Sequence, residues 1–140
     1  MHTNIIEPNS ISNVLFFLKY NTKSKKCTQK FAGGEKLLTL EQVRKFDEYA
    51  GILAPETILI DIDDAKQSEA LMDIVEDLQL NCRVIQTTRG RHFYFKNTKV
   101  AKCATHARLA CGLTADIKLG SKNSYAILKF DGEERFVEWE

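Results

Sequence analysis

Neither sign of charge prevails in this sequence: lysines and arginines number 20, aspartates and glutamates 19, for a formal net charge of +1. So even a balance gives no overall field to draw a nucleic acid or a membrane, and any site for a polyanion must come from local clustering. No apolar run approaches the length of a membrane span; "VLFFL" at 14–18 is the kind of short run present. The N-terminus shows no signal-peptide pattern. The four cysteines, at 27, 82, 103 and 111, lack framework spacing, which fits a reducing cytoplasm better than secretion. Internal repeats and low-complexity tails are missing as well. What is there is a 140-residue chain, 44% hydrophobic and 28% charged. That composition is ordinary for a globular protein, and the length predicts one domain over residues 1–140.

Local patterning divides the chain near residue 56. Ahead of it, "NSISNVLFFLKY" at 9–20 predicts a first helix capped by Asn9 or Ser10, and 21–38 reads as a loop bearing Lys23, Lys25, Lys26, Lys30 and Lys36. A second helix is predicted from Thr39, where Gln42 three residues on completes a capping-box spacing. After Pro55, "TILID" is a continuous apolar run, the mark of a strand buried on both faces. "KQSEALMDIVEDLQL" is the clearest helix, with Leu71, Ile74, Val75 and Leu78 as its inner stripe. "CRVIQTT" and "HFYFK" form a hairpin around Gly90; 97–113 is ambiguous, with weak helical character at 104–110. "ADIKL", "SYAILKF" and "ERFVEW" predict three further strands, the last two joined by "DGE". The expected class is α+β: a mostly antiparallel, RRM-like sheet over 57–140 flanked by helices, with 1–56 as an N-terminal helical and loop element.

Three motifs carry chemistry. In strand geometry Asp61 and Asp63 share one face, about 7 Å apart, and two carboxylates at that spacing suit a hard cation that also takes phosphate oxygens. The alternative is that Asp63 and Asp64 cap the following helix. In "TTRGRHFYF", His92 opens a strand after a turn bearing Thr88, Arg89, Gly90 and Arg91, groups able to clamp a phosphate. The plainer alternative is an exposed basic hairpin tip. In "ADIKLG", Asp116 and Lys118 share a strand face, which alone suggests a salt bridge.

Taken together, Leu59-Ile60-Asp61-Ile62-Asp63, the Thr88-to-Phe95 hairpin and the hydrophobic-Asp strand from Ala115 resemble the three motifs of the archaeo-eukaryotic primase superfamily, closest to the primase-polymerase (prim-pol) domains of plasmids and phages. "GEERFVEW" near the end resembles the family's aromatic-x-Trp strand with one extra residue between Phe136 and Trp139. The likeness spans 57 to the C-terminus. One departure is the turn after Asp116, which has a single glycine where the family usually has several. The resemblance implies a nucleotidyltransferase, a DNA primase and polymerase, that makes or extends primers on single-stranded DNA from NTPs or dNTPs. It implies Asp61, Asp63 and Asp116 as ligands of two Mg2+ or Mn2+ ions, and His92, Thr88, Arg89, Arg91 and Lys118 as nucleotide-binding groups. The 23–36 loop is the candidate template contact, a replicative helicase in cis or trans the implied partner, and the cytoplasm the implied location, with no membrane involved.

Cys103, His106 and Cys111 form a C-x2-H-x4-C spacing, but a structural zinc wants four ligands, so incidental cysteines are the better reading. Two rival functions stand beside the primase. One is a non-catalytic RRM-like module binding single strands through Phe93 and Tyr94. The other is a metal-dependent nuclease built on Asp116-Ile117-Lys118.

Overall fold

The computed structural model describes residues 14–21, 26–27, 38–122 and 124–140. The class is α+β, as expected, with two antiparallel sheets. The expected single domain, however, divides into two compact units. One comprises Glu56–Leu119 with Phe136–Glu140, and the other takes the described part of the chain up to Pro55 with Gly120–Arg135. The first break lies between Pro55 and Glu56, and residues 120–135, expected within the 57–140 core, belong to the unit of the N-terminal half.

In the N-terminal unit, residues 14–20 correct the first helix: β1 (Val14–Asn21) is a strand, and 9–13 lie outside the described residues. A short, continuous run of valine, leucine and phenylalanine fits a pleated strand better than a helix face. It pairs antiparallel with β3 (Tyr49–Leu53) and, at its end, with β2 (Lys26–Cys27). The second helix is real but brief. In α1 (Leu40–Val43), Thr39 Oγ1 accepts from the Gln42 N–H at 3.2 Å while Gln42 Oε1 accepts from the Thr39 N–H at 3.0 Å, the capping box read from sequence. The rest of that expected helix is turn and β3. Phe17, Leu40, Val43 and Tyr49 are all but fully buried there. Glu134 accepts hydrogen bonds from Tyr49 Oη and Arg44 Nε.

Beyond β3 lie β9 (Tyr125–Phe130) and β10 (Glu133–Glu134), turned by Asp131 and Gly132 at φ of 50° and 80°, the two left-handed residues a tight hairpin needs.

The second unit is built on β4 (Thr57–Ile62), α2 (Ala65–Leu78), β5 (Arg83–Gln86), β6 (Arg91–Lys96), β7 (Ala104–Arg108), β8 (Thr114–Leu119) and β11 (Val137–Trp139), in sheet order β11-β5-β6-β4-β8-β7. Strands β4 and β5 both run antiparallel to β6, so α2 is the crossover of a split β-α-β unit. A second crossover helix, which an RRM-like core would have, is not found between β6 and β8; the ambiguous stretch becomes the edge strand β7. The last expected strand splits into β10 and β11.

Helix α2 starts where Asp64 Oδ1 accepts from the Gln67 N–H at 2.9 Å and ends at Gln79, left-handed at φ 51°. Its Leu71, Met72 and Val75 pack on Ile62, Val84, Phe93 and Ala115. Leu78, expected in that stripe, is 67% exposed, and Met72 takes its place. The Trp139 indole N–H donates to the Leu80 carbonyl at 3.1 Å, tying β11 to the chain just past α2. Among the described residues no helix is long and apolar enough to cross a membrane.

The β5–β6 hairpin is aimed by Gly90. A Cβ there would lie 1.8 Å from the Ile62 carbonyl oxygen, so only glycine lets the hairpin tip touch the end of β4. Gly90→Ala is therefore expected to push the tip outward and destabilise the protein by about 1–3 kcal/mol. The check is a lower midpoint in chemical denaturation with an unchanged slope.

Candidate functional site

The register of three strands builds the site. Strand β4 pairs residue for residue with β6 on one side and β8 on the other, so Asp61 stands opposite His92 and also opposite Asp116. Directly opposed side chains project to the same face with Cβ atoms about 4.5–5.5 Å apart. His92, Asp61 and Asp116 thus form a row across one face, while Ile60, Ile62, Phe93 and Ala115 line the other, helix-covered face. Lys118, two residues beyond Asp116, shares the acidic face, opposite Leu59.

Each carboxylate has its own surroundings. Asp61, its side chain 20% exposed, lies with Oδ1 3.4 Å from His92 Nε2. His92 is 6% exposed, so its edge is turned to Asp61 rather than to solvent. Asp116 Oδ1 accepts the His106 backbone N–H at 2.8 Å. Asp63 lies one residue past the end of β4 and is held by Arg89, whose Nη2 is 2.5 Å from Oδ2 and whose Nε donates to Oδ1 at 3.1 Å. Asp64 is the cap of α2, so the alternative weighed for Asp63 and Asp64 holds for Asp64.

Asp61, Asp63 and Asp116 line one cleft of about 210 Å³ together with Asp64, Gln67, His106, Thr114 and Ala115, and Gln67 Oε1 accepts from the Thr114 N–H at 2.8 Å. That volume is below the roughly 300–1,000 Å³ of sites that enclose a whole ligand. Among the described residues no three histidine, cysteine or acidic side chains converge as they would around a metal ion. Two carboxylates in cross-strand register are nonetheless the donor set Mg2+ uses, since it takes one or two carboxylates and fills its remaining positions with water and substrate phosphates. The residues present fit such an ion.

Other expected groups are placed differently. Arg91 precedes His92 in β6 and therefore points to the opposite, helix-covered face. There it donates to Glu138 at 2.8 Å and to the Ser68 hydroxyl at 2.9 Å. The clamp expected from Arg91 is thus a strut between β6, α2 and β11. Thr88 and Arg89 are exposed at the hairpin tip. Phe93 and Tyr94 are 0% and 1% exposed, which leaves neither ring open to stack on a base. Cys103 and Cys111 are exposed, and Cys82 is buried in the helix-side core. Apart from the backbone of Lys26–Cys27, the lysine-bearing loop lies outside the described residues.

Gln67, Thr114 and His106 are cleft residues that the sequence reading did not assign. No spacing rule would have found the first two, and His106 drew notice only inside the C-x2-H-x4-C pattern. Comparison with known proteins finds no matching family model, no matching curated protein and no matching solved structure.

Two titrating groups report on this architecture. Burial alone would raise the Glu138 carboxyl, but hydrogen bonds from Arg91 and Gln86 outweigh it and bring it below the ordinary 4.5. Because the folded value is depressed, the Arg91–Glu138 contact stabilises the protein above about pH 4.5 and is lost as pH falls through the folded value. Glu138→Gln should cost about 1–3 kcal/mol at pH 7. Its denaturation midpoint should meet that of the wild type in acid, which a urea titration across pH 3–7 checks. Burial pushes the Cys82 thiol up to about 11, so it stays protonated at neutral pH. Iodoacetamide at pH 8 should therefore label Cys103 and Cys111 in the native protein, with Cys82 reacting only on unfolding, as peptide mass mapping would read.

Proposed function

We propose that this chain is a metal-dependent nucleotidyltransferase of the prim-pol kind, which makes or extends primers on single-stranded DNA from nucleoside triphosphates. The observation that supports it is the row His92–Asp61–Asp116 on one sheet face, which the three sequence motifs require if they are to act on one substrate. Mg2+ or Mn2+ held there would supply charge neutralisation for the triphosphate and a more acidic primer hydroxyl.

The chain's own residues do the rest. Asp61 and Asp116 offer fixed oxygens from two neighbouring strands, a rigid platform that costs little reorganisation. His92 is better placed to orient Asp61 than to reach a triphosphate itself. Asp63 would join them once Arg89 turns from it, and the freed guanidinium then has phosphate as its natural partner. Lys118, on the same face, and the Thr88 hydroxyl, at the exposed tip, lie outside the cleft lining and would serve as further phosphate contacts at its approaches. Arg91 is not among them. A cleft of about 210 Å³ would take phosphates and a cation and leave sugar and base outside it.

Of the two rivals, the binding module loses its stacking rings to burial. The nuclease keeps Asp116 and Lys118 but leaves the Asp61–His92 pair idle.

The test is incubation of the full chain with labelled deoxynucleoside triphosphates, a single-stranded template with and without primer, and Mn2+. Products longer than the input are expected. Asp61→Asn and Asp116→Asn, folded by circular dichroism, should each lose about a hundredfold or more, roughly 2.7 kcal/mol of transition-state stabilisation. Shortened strands would establish the nuclease instead, and binding without turnover the module.

A further inference from the structure

Strand β7 breaks register with β8 between Ala104 and Ala107, and inside the break His106 takes a φ of 51°. Left-handed backbone is uncommon outside glycine, although histidine adopts it more readily than most residues, and it persists where the surrounding structure holds it. β-Bulges with such residues re-aim backbone groups at sheet edges. Here the bulge turns the His106 N–H onto Asp116 Oδ1 at 2.8 Å, at the rim of the acidic cleft. Without the bulge, the alternating pattern of an edge strand would have no reason to send an N–H to a neighbouring strand's side chain.

Resting on the function proposed above, we infer that His106 is a positioning residue: its backbone N–H fixes the Asp116 carboxylate through one oxygen and leaves the other for a divalent cation shared with Asp61. The role belongs to the amide and to the left-handed turn, and the imidazole is not required for it. A fixed carboxylate binds a cation without the entropic cost of ordering a mobile one. Outer-shell hydrogen bonds of this sort are typically worth roughly ten- to a hundred-fold in metal affinity.

Three substitutions separate amide from imidazole. His106→Ala removes the ring and keeps the N–H; His106→Gly does so while relaxing the backbone; His106→Pro removes the N–H and cannot adopt a positive φ. Binding of free Mn2+ to the full chain, followed by electron paramagnetic resonance, is expected to weaken by roughly ten- to a hundred-fold in the proline variant and to be recovered in the glycine variant. In the wild type without metal, the His106 amide should exchange slowly with deuterium, and Asp116→Ala should release it. This reading does not depend on the proline variant folding.

Equal losses in the alanine, glycine and proline variants would overturn the inference and make the imidazole itself the ligand. So would Mn2+ binding that ignores the proline in a chain that circular dichroism shows folded, or an amide whose exchange ignores Asp116. A wild-type chain that takes up no Mn2+ would remove the metal reading of the cleft, and the role given to His106 with it.

Discussion

The register of β4 between its two neighbours is the constraint on which everything at this site depends. Side chains alternate along a strand, so a slip of one residue on either side would send Asp61 or Asp116 into the helix-covered core. The apolar faces of β4, β6 and β8 forbid that slip, because Ile62, Phe93 and Ala115 must all meet α2. The acidic row is therefore fixed by hydrophobic packing on the far side of the same sheet. A charge that would be costly to bury is held at the surface of a cleft by residues that never touch it.

That division of labour explains the spread of the basic groups. On β6, His92 faces the carboxylates and Arg91 faces α2, so neighbours in sequence serve opposite layers. Arg91, Glu138 and Ser68 clip β11 and α2 to the hairpin. Arg89, lifted off the strand by the turn, answers Asp63 in the open. Gly90 makes the geometry of that turn possible, and its close approach is to the chain's own Ile62 carbonyl.

Much of this second unit was legible in the sequence. The apolar run ending in acids, the long amphipathic helix and the Gly90 hairpin were all read from local pattern, and the helix cap at Asp64 stood as the alternative. Strand alternation also says that Arg91 and His92 part company, although grouping them by charge obscured it. Cross-strand register was not legible, since nothing in a single sequence says which residue of β8 will face Asp61. Strand β1 was mistaken for a helix because polar residues resembling a cap precede an apolar run too short to show a period. The bulge at His106 leaves no clear local mark: histidine adopts left-handed backbone more readily than most residues but is far from a glycine signal, and the partner of its N–H is a carboxylate ten residues away in sequence.

In the proposed function Asp61 and Asp116 act together on one divalent ion. Crystals of the chain soaked in Mn2+ with a nonhydrolysable deoxynucleoside triphosphate, measured at the manganese absorption edge, address it most directly. An anomalous peak bridging the Asp61 and Asp116 carboxylates, with triphosphate density against it, is the expected result. Manganese bound elsewhere on the chain, with those two carboxylates unliganded, would contradict it.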